Sequence, residues 1–151
     1  MHKMFSISEG ASLAIHSLAI IARSKEQINV SGIAEKTNFS KTHLAKVLQR
    51  LSKNNYIKSE RGPKGGFVLA KDAGAITLLE IYELMEGTLM PDTCTIYEEG
   101  CPFSSCIFGS VTDKFTIEFR DYLRSKTIFD FVPDKVKGKR HKGKTSNIFK
   151  K

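Results

Sequence analysis

Val30–Ala70 reads V-S-G-I-A-E-K-T-N-F-S-K-T-H-L-A-K-V-L-Q-R-L-S-K-N-N-Y-I-K-S-E-R-G-P-K-G-G-F-V-L-A. Ser31 is placed to cap a short helix running through Lys36, with Ile33 and Ala34 facing inward. Thr37-Asn38-Phe39 is turn-prone, and Asn38 tolerates the left-handed conformation that closes a helix. Ser40 is then the cap of a second helix, in which Leu44, Val47, Leu48 and Leu51 recur at helical spacing and form one apolar stripe. Asn54-Asn55 stops that helix. Tyr56–Glu60 and Phe67–Leu69 read as strands around a Gly- and Pro-rich tip at Arg61–Gly66. Helix, tight turn, basic helix and hairpin in that order predict a winged helix-turn-helix. The fold class is mainly α with a small β-wing.

The second helix divides its faces in the way a DNA-reading helix requires. Apolar residues dock it, and donors on the other side meet phosphates and base edges. Ser40, Lys41, Thr42 and His43 stand at its N-terminus, where they are expected to approach base edges in the major groove. Lys46, Arg50 and Lys53 lie further along and are expected to meet phosphate. At the wing, Arg61 and Lys64 can enter the minor groove.

The 151-residue chain carries a net charge of +8, distributed in blocks. Residues 1–35 are neutral, 36–71 carry +8, 72–132 carry −7 and 133–151 carry +7. Positive charge sits on the predicted reading unit and the tail, which favours a polyanion at specific faces. No stretch reaches the ~20 apolar residues of a membrane span, and the N-terminus lacks a secretory signal. A cytoplasmic location is expected, where cysteines are ligands or thiols more often than disulfides. No paired carboxylates, phosphate loop or Cys/His nucleophile arrangement points to an enzyme.

Four segments are expected. Residues 1–90 form the winged helix-turn-helix domain, opening with a helix over 8–23 that buries Leu13, Ala14, Leu18, Ile21 and Ala22 and leaves His16 as a satisfied or surface histidine. A capping box at Thr77–Glu80 starts a further short helix ending near Gly87. Residues 91–108 form a loop with all three cysteines. Residues 109–132 form a long helix opened by a second capping box, Ser110–Asp113. Its bulky residues Val111, Phe115, Phe119, Tyr122 and Leu123 suit dimerisation. Residues 133–151 are basic and predicted disordered, either as a solubilising tail or as extra phosphate affinity.

Cys94, Cys101 and Cys106 are spaced C-x6-C-x4-C. Three thiolates in one short loop can converge on a soft metal centre. They lack the C-x2-C pairs of common zinc sites. Three free thiols, or a redox disulfide with one thiol left over, remain open on the residues alone.

The S-K-T-H-L-A-K-V-L-Q-R-L helix, the G-P-K-G-G-F-V-L-A wing and the three cysteines before a long helix together resemble the IscR/NsrR-like winged-helix iron–sulfur regulators (the Rrf-two family). The resemblance spans roughly residues 5–132. It implies homodimers that bind double-stranded operator DNA, usually as repressors. It also implies an iron–sulfur cluster, 2Fe–2S or 4Fe–4S, on Cys94, Cys101 and Cys106, sensing redox state, nitric oxide or iron supply. The cysteine spacing departs by one residue from the family's more even pattern. Gly109 stands where some relatives place a histidine ligand. Others use a carboxylate early in the first helix, where this chain has Ser12 with Glu9 one turn earlier, so Glu9 is the candidate fourth ligand. The rival expectation is a winged-helix protein-interaction module with a structural zinc or redox-thiol site.

Overall fold

The computed structural model describes residues 7–63, 65–91 and 102–132. Helix α1 spans Glu9–Arg23. Ser8 caps it by accepting from the Ala11 amide at 3.1 Å, and Glu9 sits in the first turn, where the helix dipole favours a carboxylate. Its inner face buries Ala11, Leu13, Ala14, Ser17, Leu18 and Ile21, and it packs against the helix that follows the wing. His16 is exposed, its Nδ1 2.7 Å from the Ser12 carbonyl one turn back.

Helix α2 spans Val30–Thr37 and starts earlier than the sequence predicts. Asn29, not Ser31, is the cap, its Oδ1 accepting from the Gly32 amide at 2.9 Å. The cause lies one residue upstream. Ile28 forms an antiparallel bridge with Phe67, which holds the chain extended up to Asn29 and releases it into the helix there. Asn38 closes α2 in the left-handed conformation, φ 57°. Ser40 follows as the cap residue of α3, Lys41–Lys53, although its side chain makes no capping hydrogen bond. Leu44, Val47, Leu48 and Leu51 are all buried, as their spacing requires.

Strands β1, Ile57–Glu60, and β2, Gly66–Leu69, pair antiparallel with Ile57 opposite Leu69 and Glu60 opposite Gly66. The Ile28–Phe67 bridge adds a third edge, with the Phe67 amide donating to the Ile28 carbonyl at 2.9 Å. Glycine is obligatory at the crossing. A Cβ on Gly66 would stand 2.7 Å from the Ile28 carbonyl carbon, and one on Gly65 would stand 2.7 Å from the Glu60 carbonyl oxygen. At the base of the wing, the Lys71 ammonium lies 4.0 Å from the centre of the Tyr56 ring. Burial, reinforced by the charge and hydrogen bond of Glu80, pushes the Tyr56 phenol up to about 12. The phenol therefore stays a donor, and Glu80 ties the wing base to the next helix.

That helix, α4, spans Leu78–Glu86, and its predicted capping box is present: Thr77 Oγ1 accepts from the Glu80 amide, and Glu80 accepts from the Thr77 amide. Leu78, Leu79 and Ile81 are buried, and Gly87 ends the helix at φ 92°. Helix α5 spans Val111–Ser125, but the capping box expected at Ser110–Asp113 does not form. Ser110 adopts φ 58°, whereas a capping side chain needs an extended backbone to reach the first-turn amides. The bulky row on α5 is split. Leu123 is buried, and Phe119 meets Tyr82 edge-to-face at 5.4 Å, whereas Val111, Phe115 and Tyr122 stay exposed. After Ser125 the chain returns to the body. Leu78 donates to Lys126 and Ile128 donates to Ile76, both at 2.9 Å, and Ile128 and Val132 are buried. No helix among the described residues is long and apolar enough to cross a membrane.

Gly66→Ala is expected to cost about 1–3 kcal/mol, because two backbones must part to admit the methyl group. Urea unfolding of the full chain measures it. An unchanged midpoint would show that the wing and the α1–α2 loop are not in close register.

Candidate nucleic-acid interface and thiolate site

Burial of the leucine stripe decides where the rest of α3 points. With Leu44, Val47, Leu48 and Leu51 inside, Lys41, Thr42, His43, Lys46, Gln49, Arg50 and Lys53 all fall on the exposed side, and Ser40 is exposed just before them. The helix N-terminus adds its own partial positive charge to this face. Arg61 is exposed at the start of the wing tip, beside Gly62 at φ 137°. Lys64 lies outside the described residues. Two basic elements, α3 and the wing, thus stand on one folded unit, and the Ile28–Phe67 bridge joins the wing to the start of α2.

A further set of cations was not anticipated from the sequence. Between α1 and the α2–α3 turn is a cleft of about 700 Å³ bounded by Arg23, Lys36, His16, Ser12, Ile20 and Phe39. Arg23 and Lys36 take part in no ion pair with a described residue, so the cleft keeps a positive surface. Its residues come from separate helices, and no local pattern joins them.

Glu9 also has an unanticipated neighbour. Its Oε1 lies 3.1 Å from Nδ1 of His43, bringing the start of α1 to the start of the reading helix. In this structure, then, the candidate fourth ligand is engaged with an exposed histidine of α3 in its own chain.

Cys94 and Cys101 lie outside the described residues. Cys106 is exposed, immediately before α5. Hydrogen bonds from the backbone amides of Ser110 and Phe108, with a smaller one from Gly109, hold its thiol below the ordinary cysteine range despite opposition from Asp113. The consecutive left-handed residues Gly109 and Ser110, both at φ 58°, turn those amides toward the sulfur. A thiol whose ionised form is favoured by backbone donors is chemically suited to a soft metal and to an iron–sulfur cluster. Among the described residues, no group of three or more His, Cys, Asp or Glu side chains converges on a point.

Comparison with known proteins places these features in context. The model of the Rrf2 family, described as iron-dependent transcriptional regulators, matches residues 7–134. IscR of Klebsiella pneumoniae subsp. pneumoniae is 26% identical over 123 residues, covering 78% of this chain and 75% of its own. Among solved structures, CymR, the global cysteine regulator of B. subtilis, superposes with a TM-score of 0.70 at 24% identity, over 84% of this chain and 95% of that one. IscR of T. potens superposes with a TM-score of 0.69 at 22% identity, over 93% of this chain and 95% of that one. The backbone fits both structures almost equally well. What distinguishes such regulators must therefore be sought in side-chain chemistry.

Arg50→Ala is expected to weaken duplex DNA binding by a similar factor on all sequences and to lower the slope of log affinity against log salt by about 0.9. Thr42→Ala, at the second residue of α3, should instead change which sequences are preferred. Titrations of two duplexes at several salt concentrations separate these outcomes. A full salt slope in the Arg50 variant would take that residue off the phosphates.

Proposed function

Because the chain belongs to the Rrf2 family of transcriptional regulators, we propose that it acts as a homodimeric repressor whose operator affinity is governed by an iron–sulfur cluster on Cys94, Cys101 and Cys106. The DNA-reading part rests on the outward donors of α3 and Arg61 of the wing. The cluster part rests chiefly on Cys106, whose amide-cradled sulfur stands at the entry to α5. The family's description as iron-dependent supports it as well.

Dimerisation is supported by the uncovered side of α5. Val111, Phe115 and Tyr122 recur on one helical face, and Ile107 and Phe108 extend it upstream, all of them exposed in a single chain. A row of large apolar residues on one face is the surface a second copy of the same helix covers in a two-fold interface. Two reading helices would then face adjacent half-sites of a pseudo-palindrome.

The cluster supplies a centre that oxidants, nitric oxide or iron shortage can alter. The chain's own residues supply the rest. Amides of Ser110, Phe108 and Gly109 favour ionisation of Cys106, and their left-handed turn leads from that sulfur to the first residue of α5. The cysteine loop lies in sequence between α4, which packs on α1, and α5, which carries the apolar row. A change in how the loop is held therefore acts on the angle between the reading unit and its partner. A coupling of about 1–3 kcal/mol, five- to 150-fold in affinity, is typical for such linked sites.

The test uses full-length protein isolated without oxygen, with an operator selected from random duplex DNA. A brown protein with visible absorption, and at least fivefold different operator affinities with and without its cluster at equal salt, is the expected result. A colourless protein with tightly bound zinc and one affinity throughout would favour the zinc-stabilised interaction module instead. Separately, Phe115→Asp should convert the dimer to a monomer in sedimentation equilibrium while leaving the helical content intact. A dimer that survives this change would move the interface elsewhere.

A further inference from the structure

Glu9 is the first residue of α1, and His43 is the third residue of α3, 34 positions later in the chain. Their side chains meet at 3.1 Å between Oε1 and Nδ1. An ionised carboxylate can only accept, so the bond places the ring proton on Nδ1 and turns Nε2 away from Glu9. The backbone that carries the histidine is fixed from below. Leu44, the next residue, is fully buried, while Lys41 and Thr42 flank His43 on the open side.

The helix start that carries the carboxylate is itself anchored. Ser8, the cap of α1, accepts from the Ala11 amide and donates to Glu86 at the end of α4. Glu9 stands in the first turn beside this anchor, where the positive end of the α1 dipole favours its carboxylate. A negative side chain on a DNA-facing surface repels phosphate, so its presence beside the reading helix calls for a compensating use. About half of each side chain is open to solvent, 58% for His43 and 55% for Glu9. Such a contact adds little to folding stability, but it is enough to select one ring orientation among several.

We propose that Glu9 is a positioning residue for sequence readout, holding the His43 imidazole so that its Nε2 edge addresses one base pair of each half-site. The inference rests on the DNA-reading assignment of α3 and deepens it. A freely rotating histidine would present either nitrogen to several groups in the groove and discriminate poorly. A ring tethered at Nδ1 presents one nitrogen in one direction, which is the condition for reading a major-groove edge.

The test is selection from random duplexes by full-length wild type and by Glu9→Ala, Glu9→Gln and His43→Ala, followed by affinities for duplexes varied at one position. Wild type should discriminate about tenfold at one base pair per half-site, within the range expected of a good base contact. His43→Ala and Glu9→Ala should both reduce discrimination at that same pair to about twofold or less. Glu9→Gln, which keeps the accepting oxygen, should retain most of it. If Glu9 acts only as a surface charge, Glu9→Ala will tighten binding to every duplex by a similar factor and leave the selected sequence unchanged, which overturns the proposal. Wild type that selects no sequence at all would instead overturn the DNA-reading assignment. Thermal melts of each variant confirm that folding is retained.

Discussion

The architecture depends on burying one side of α3. Leu44, Val47, Leu48 and Leu51 are each worth roughly 1.5–3 kcal/mol on leaving water, and they share a core with Ile33 of α2, Ile57 of β1 and Leu13 and Leu18 of α1. Every other element is placed by that core. Because the stripe occupies one side only, the polar residues between its members are driven outward as a set. The proposed reading surface is thus a by-product of packing: the energy that folds the domain also turns the lysines, the arginine and the histidine of α3 outward.

Much of this was legible because the signals are local. Helical spacing set the buried stripe, Asn38 and Gly87 marked helix ends, and the Thr77–Glu80 pair marked a helix start. Each can act without reference to distant residues. The errors arose where distant residues decide. Asn29 and Ser31 are equally good capping chemistry two positions apart, and only the Ile28–Phe67 bridge chooses between them. Ser110–Asp113 has the composition of a capping box, but the left-handed turn that cradles Cys106 sets the serine's backbone against it. The α5 row looked like a single face because Phe119 and Leu123 are as bulky as Phe115 and Tyr122. Which of them the domain covers depends on Tyr82 and on how the chain returns after Ser125.

The candidate site divides in the same way. The donors on α3 follow from the stripe and could be read directly. The meeting of Glu9 with His43 could not, since the two lie 34 positions apart on separate helices, and neither could the cleft that Arg23 and Lys36 share, since it exists only once α1 has packed beside the α2–α3 turn. For the cysteines, composition and spacing identified the group. Only the backbone around Cys106 explains why its thiol lies below the ordinary cysteine range, and Cys94, Cys101 and Lys64 lie outside the described residues.

The glycine crossing at the wing has a broader consequence. With no side chain between them, Gly66 and Ile28 touch backbone to backbone, and the hairpin, the loop and the first turn of α2 become a single stiff plate. A stiff plate cannot trim its fit to one groove at a time. In the proposed dimer, two such plates would keep only the distance and tilt between them as freedom, so any input would be converted into a change of gauge, as when the jaws of a caliper are reset. In that arrangement sequence would be judged by the plates and phasing by the joint, and the two properties could drift independently as binding sites diversify across a genome.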